Sequence, residues 1–120
     1  MSRHNIAAQT LPGAYPSLPV TPGSNLVETI SVPADGMSTA IVDSKTLVLV
    51  HNTAVGAETV TFTSVADVYG RTGDITAYSL GAGDQRFFGP FKLAGWAQSG
   101  NVLWIDTSDA GILLAVITLP

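Results

Sequence analysis

Residues 112–119, Ile-Leu-Leu-Ala-Val-Ile-Thr-Leu, constrain the chain more than any other stretch. Only Thr118 among them is polar, and Pro120 follows at once. A helix this apolar would need burial all round. The run is short and rich in branched residues, so it reads as a strand buried on both faces. Left at a sheet edge, such a strand would template aggregation, so it is expected between neighbours. Residues 46–51, Thr-Leu-Val-Leu-Val-His, read the same way. The two runs are expected as central strands of one sandwich.

At 120 residues the chain can bury one core but not two. It has no cysteine, so packing and not cross-linking must hold it together. That fits a protein made in a reducing cytoplasm. Charged residues are 12% of the chain, against about 25% in ordinary soluble domains. So little charge means either a Thr/Ser-coated surface or a surface buried against partners. Net charge is −4, and the five basic residues are scattered, so no stripe exists for a phosphate backbone and nucleic-acid binding is not expected. No apolar run reaches transmembrane length. The start lacks the apolar core of a signal peptide, so export by the usual route is not expected.

Residues 1–24 differ from the rest, holding Pro12, Pro16, Pro19 and Pro22. Proline lacks a donor and biases its predecessor to extended geometry. The stretch is expected as an extended N-terminal arm. Its apolar anchors, Leu11, Tyr15, Leu18 and Val20, would bind a partner. Residues 25–120 are expected as the domain proper. There, strand-like runs recur at 26–32, 37–42, 47–52, 58–63, 75–80, 85–88, around Trp96, at 102–105 and in the final run. Gly, Pro and Asn punctuate them, with Asp35-Gly36 as a hairpin-type turn and Gly89-Pro90 as a break. In 58–63, Val60 and Phe62 share one face while Thr59, Thr61 and Thr63 share the other, which is strand periodicity. No segment shows a helical period. The predicted fold class is all-β: an antiparallel β-sandwich, jelly-roll or Ig-like, with Val48, Val50, Val60, Phe62, Leu114 and Val116 in its core.

Little in the chain suggests chemistry, so no catalytic, cofactor or metal residues are expected. His4 and His51 are the only histidines, one in the arm and one at a strand end, and both read as structural. No cluster has metal-ligand spacing. The run Leu103-Trp104-Ile105-Asp106-Thr107-Ser108 resembles an aspartic-protease loop. Ser108, however, stands where that chemistry needs glycine, and the second carboxylate would need dimer or pseudo-dimer symmetry. The expected alternative is a polar hairpin loop in which Asp106 and Asp109 bond backbone amides. The aromatics read as core or interface residues. A sugar-binding module would instead expose a cluster of them.

Residues 47–119 carry a more specific pattern. An apolar strand ends in Asn52, and a Gly-containing turn leads to the Thr/Val strand 58–63. Leu80-Gly81-Ala82-Gly83-Asp84 is followed by Arg86-Phe87-Phe88-Gly89-Pro90-Phe91, and the apolar strand closes the series. This resembles small β-sandwich structural proteins of tailed bacteriophages, of the capsid decoration or cement type. The resemblance implies a non-enzymatic virion protein on the capsid surface, made in the host cytoplasm. It implies a homo-oligomer, with a trimer favoured, that clamps neighbouring major capsid protein subunits. A neck or tail protein of the same particle and a carbohydrate-binding module are the alternatives.

Overall fold

The computed structural model describes residues 3–10, 28–66 and 69–119. It is all-β, with ten strands and one short turn assigned as α1 among those residues. The strands are β1 (His4–Asn5), β2 (Ala8–Thr10), β3 (Thr29–Ile30), β4 (Met37–Ala40), β5 (Thr46–Asn52), β6 (Glu58–Thr63), β7 (Ile75–Leu80), β8 (Gln85–Phe91), β9 (Val102–Thr107) and β10 (Ile112–Thr118). They form two packed sheets. The first runs β1-β4-β9-β6-β7 and the second β2-β10-β5-β8, with β3 also on β10.

The two apolar runs are both inner strands, as expected, and they are neighbours in one sheet. β5 and β10 pair antiparallel over seven positions, from Thr46 opposite Thr118 to Asn52 opposite Ile112. β10 is then enclosed on its other edge by β2 and β3. Its backbone groups are thus paired on both sides, which removes the edge hazard. Val48, Val50, Leu114 and Val116 face inward against Val60, Phe62, Leu103 and Ile105 of the first sheet, all at 0% exposure. Alternation along each strand places these side chains between the sheets.

The sheets are mixed, not purely antiparallel. β1 pairs parallel with β4, and β2 pairs parallel with β10. Both parallel strands come from the first ten residues. The stretch 1–24, expected as an extended arm, thus places its residues 4–5 and 8–10 in the sandwich as strands. The reason is Ile6, 3% exposed in the core, around which the chain passes from one sheet to the other. Thr39 donates its hydroxyl to the Ile6 carbonyl and satisfies the crossing. The rest of that stretch, including Leu11, Tyr15, Leu18 and Val20, lies outside the described residues.

Three further expectations are corrected. Asp35-Gly36 makes a turn, with the Gly36 amide donating to Val32, but β3 and β4 lie in different sheets, so it is no hairpin. Gly89-Pro90 does not end its strand. β8 continues to Phe91 because its register against β5 jumps there and because it is an edge strand, where a missing donor costs nothing. The segment around Trp96 is a turn, α1 (Leu93–Trp96), not a strand; Ala94 at φ −66°, ψ 120° and Gly95 at φ +93°, ψ −17° give it type II geometry, which glycine permits.

Candidate interaction surface

The two outward faces of the sandwich differ in chemistry. On the first sheet, alternation turns out Thr59, Thr61 and Thr63 of β6, Trp104 and Asp106 of β9 and Ser38 of β4. This is a hydroxyl-rich face that water can solvate. Arg3 closes one side of it, with its guanidinium 4.5 Å over the Trp104 ring and paired to both Asp106 oxygens at 3.0 and 3.2 Å.

On the second sheet seven of the outward side chains form one patch, Leu47 and Leu49 of β5, Leu113, Ala115 and Ile117 of β10, Phe87 of β8 and Ile30 of β3, with the polar His51 of β5, Gln85 of β8 and Gln9 of β2 at its ends. The register puts Phe87 opposite Leu49, Leu49 opposite Ala115, and Ile30 opposite Leu113. All seven are apolar. None of them belongs to the inter-sheet core cluster. The middle of this face is buried, with Leu49, Ala115 and Ile117 at 6%, 0% and 4% exposure. Its flanks are open, with Phe87 at 55% and Ile30 at 63%. Its charged contact is the pair Glu28–His51, in which Nδ1 lies 3.1 Å from one carboxylate oxygen and 3.2 Å from the other. Glu28 precedes β3, and His51 is two strands away on β5, so the Glu28 stem spans β10 on this side.

The histidines and the protease-like loop have structural partners. His4 lies 2.9 Å from Asp35, a tie between β1 and the turn before β4. Asp109 accepts from the Gly111 amide at 2.7 Å, as expected of a turn aspartate. Asp106 does not bond an amide as expected; it holds Arg3, whose guanidinium also donates to the Met37 carbonyl. This bidentate fork takes one lone pair from each carboxylate oxygen and fixes the side chain in place. Gly36 sits beneath the pair: a Cβ there would fall 2.6 Å from the Asp106 oxygen. Asp106→Asn is expected to lower stability by about 1 kcal/mol or less, because the pair is partly solvated. Chemical denaturation checks this.

Asp74 braces the loop after β6. Its Oδ1 accepts from the Ser64 hydroxyl at 2.6 Å and from the Ser64 amide at 2.8 Å. The hydroxyl bond and then the amide bond hold its pKa below 3.8, because both stabilise the carboxylate. A depressed folded pKa contributes stability above the unfolded value and loses it as pH falls through the folded one. The Ser64 and Gly73 amide resonances are therefore expected to stay fixed down to pH 4 and to move only below the unfolded value of 3.8. Movement above pH 4 would contradict the brace.

Among the described residues there is no group of His, Asp or Glu that could hold a metal, and no helix long and apolar enough to cross a membrane. Compared with family models, curated proteins and solved structures, the chain matches none. The apolar outer face was readable in principle. Leu47, Leu49, Leu113, Ala115 and Ile117 are the odd-numbered partners that made both runs look buried on two sides. Sequence could not show that Phe87 and Ile30 extend the face, because that depends on register.

Proposed function

We propose that this protein is a non-enzymatic structural subunit of a larger particle, most specifically a capsid decoration or cement protein of a tailed bacteriophage. The observation that carries the reading is the apolar outer face of the second sheet, set against a hydroxyl-rich face on the first. A solitary soluble sandwich has no use for two unlike outer faces, and an assembling one does. The finer fold agrees by analogy. Strands β3 to β10 are dealt as β3-β10-β5-β8 and β4-β9-β6-β7, the interleaved order of a jelly roll, an architecture used in viral capsids and in lectins.

On this reading the flanks of the apolar face meet a second copy of the chain, in a homo-oligomer with a trimer favoured. Copies carrying −4 repel one another, so an apolar contact without unpaired charge must hold them. Leu11, Tyr15, Leu18 and Val20 meet the major capsid protein. Residues 11–27 are anchored by β2 before and β3 after, both on β10. Extended out and back, such a segment reaches at most about 30 Å. That suffices for an adjoining subunit and is much less than a free arm would reach.

The test is mass-spectrometric copy number in purified particles, beside imaging of position. A capsid role predicts hundreds of copies and a neck role about a dozen. Two variants separate the surfaces. Phe87→Glu is expected to shift the oligomer to monomer in light scattering with the melting temperature of the monomer kept. Alanine at Leu11, Tyr15, Leu18 and Val20 together is expected to abolish particle binding while the oligomer persists. Normal capsid occupancy by both variants would overturn the assignment.

A further inference from the structure

At one end of the sandwich the β6–β7 loop and the β8–β9 connection meet around a cleft of about 320 Å³. Its walls include Ser64, Thr72 and Gly73 on one side and Gly95 and Trp96 on the other, with Arg71 beside them. We propose that this cleft is a saccharide site that takes one pyranose ring of a glycan. The site is separate from the surfaces assigned to assembly.

Three features point to that ligand class. The first is size: the volume lies at the small end of ligand pockets, where a single sugar ring fits and a nucleotide does not. The second is the lining, which combines one indole ring with two hydroxyls and a guanidinium. A pyranose has a matching pair of surfaces, an apolar C–H face for an aromatic ring and a rim of hydroxyls for donors and acceptors. An isolated phosphate would find one cation, with the Asp74 carboxylate bonded to Ser64 close behind.

The third feature is rigidity. Ser64 Oγ donates to Asp74 and accepts from the Gly73 amide at 2.9 Å. The Val65 amide donates to the Gly95 carbonyl at 2.8 Å, which ties the two walls together. Trp96 is held against Phe91, with centroids 5.1 Å apart and planes at 77°. Arg71 lies 5.0 Å over the exposed Tyr69 ring, so a second aromatic stands next to the cleft. The walls are thus fixed before a ligand arrives, and little ordering cost remains.

The test is a titration of the full chain, ¹⁵N-labelled, with N-acetylglucosamine, galactose and glucuronate in separate arms. Saturable shifts are expected at the Gly73 and Gly95 amides and the Trp96 indole N–H, with a Kd on the order of 1 mM for one ring. A response to glucuronate alone makes Arg71 the selecting residue. A response to the uncharged sugars makes the hydroxyls and indole sufficient. Trp96 also packs on the core, so the confirming variants are Thr72→Ala and Arg71→Ala, both exposed. At least one should weaken binding several-fold with the fold intact by its amide spectrum. No saturable shift with any of the three sugars, shifts mapping elsewhere, or binding unaffected by both variants would each overturn the proposal. None of these outcomes bears on copy number or oligomer state.

Discussion

Phe62→Ala is expected to remove about 3–5 kcal/mol of stability, a large share of the 5–15 kcal/mol typical of one domain. Phe62 is fully buried and is the central first-sheet ring of an aromatic row that crosses the sandwich. It meets Phe88 at 4.8 Å and Phe91 at 5.2 Å; Phe88 then meets Tyr78, and Phe91 meets Trp96. Truncation leaves a cavity between rings that β8 holds at fixed spacing, so the site cannot collapse to fill it. Thr59→Ala on the outer face of the same strand is the control, expected within about 0.5 kcal/mol of the parent. Urea denaturation of both reads the difference. A loss below about 1 kcal/mol for Phe62→Ala would mean that the two sheets are not packed as described.

The second large effect belongs to Asn52, a fully buried amide at the end of β5. Its Nδ2 reaches the carbonyls of Gly56, Leu80 and Gly81 at 2.9, 3.0 and 3.2 Å, and its Oδ1 accepts from the Ala54 amide at 2.9 Å. Its backbone adds bonds to Gly83 and Asp84. One side chain thus closes the loop after β5 and the turn that carries the chain from β7 to β8. Asn52→Ala is expected to cost roughly 2–4 kcal/mol, because buried carbonyls lose their donor. Asn52→Asp should be worse at neutral pH, since a carboxylate would face three carbonyls. Its deficit should shrink as pH falls and the carboxyl becomes a donor, because burial raises that pKa. Thermal melts across pH distinguish the two variants. Equal deficits at every pH would show that shape, not hydrogen bonding, sets the requirement.

Asn52 also shows where reading the chain succeeds and where it stops. Its place at the end of an apolar strand is plain in the sequence, as is the Gly-rich turn at 81–84. That the two are bonded is not, because their contact depends on the stacking of the sheets. The core residues Val48, Val50, Val60, Phe62, Leu114 and Val116 were legible because period-two alternation is a local signal. The pairing of β1 and β2 was not. Residues 3–10 carry no alternation and only one core side chain, Ile6, and proline content pulled them into the neighbouring stretch. The continuation of β8 through Pro90 was hidden for a similar reason: whether proline is tolerated depends on a strand being an edge, which only topology decides. The cleft had no sequence signal, since its walls come from two connections that are far apart along the chain.

The enclosure of β10 also sets the order of events during synthesis. Ala8 lies beside Val116, and Ile30 beside Leu113, so β2 and β3 must wait for β10, which is translated long after them. Until then β5 has no partner on one edge, and the apolar side chains of both sheets have nothing to close on. Contacts this distant along the chain form slowly, and waiting nascent chains are prone to stick to one another. A nascent chain should therefore stay unfolded until β10 has left the ribosome, and yield in a cell should depend more on chaperone supply than on the stability of the finished fold.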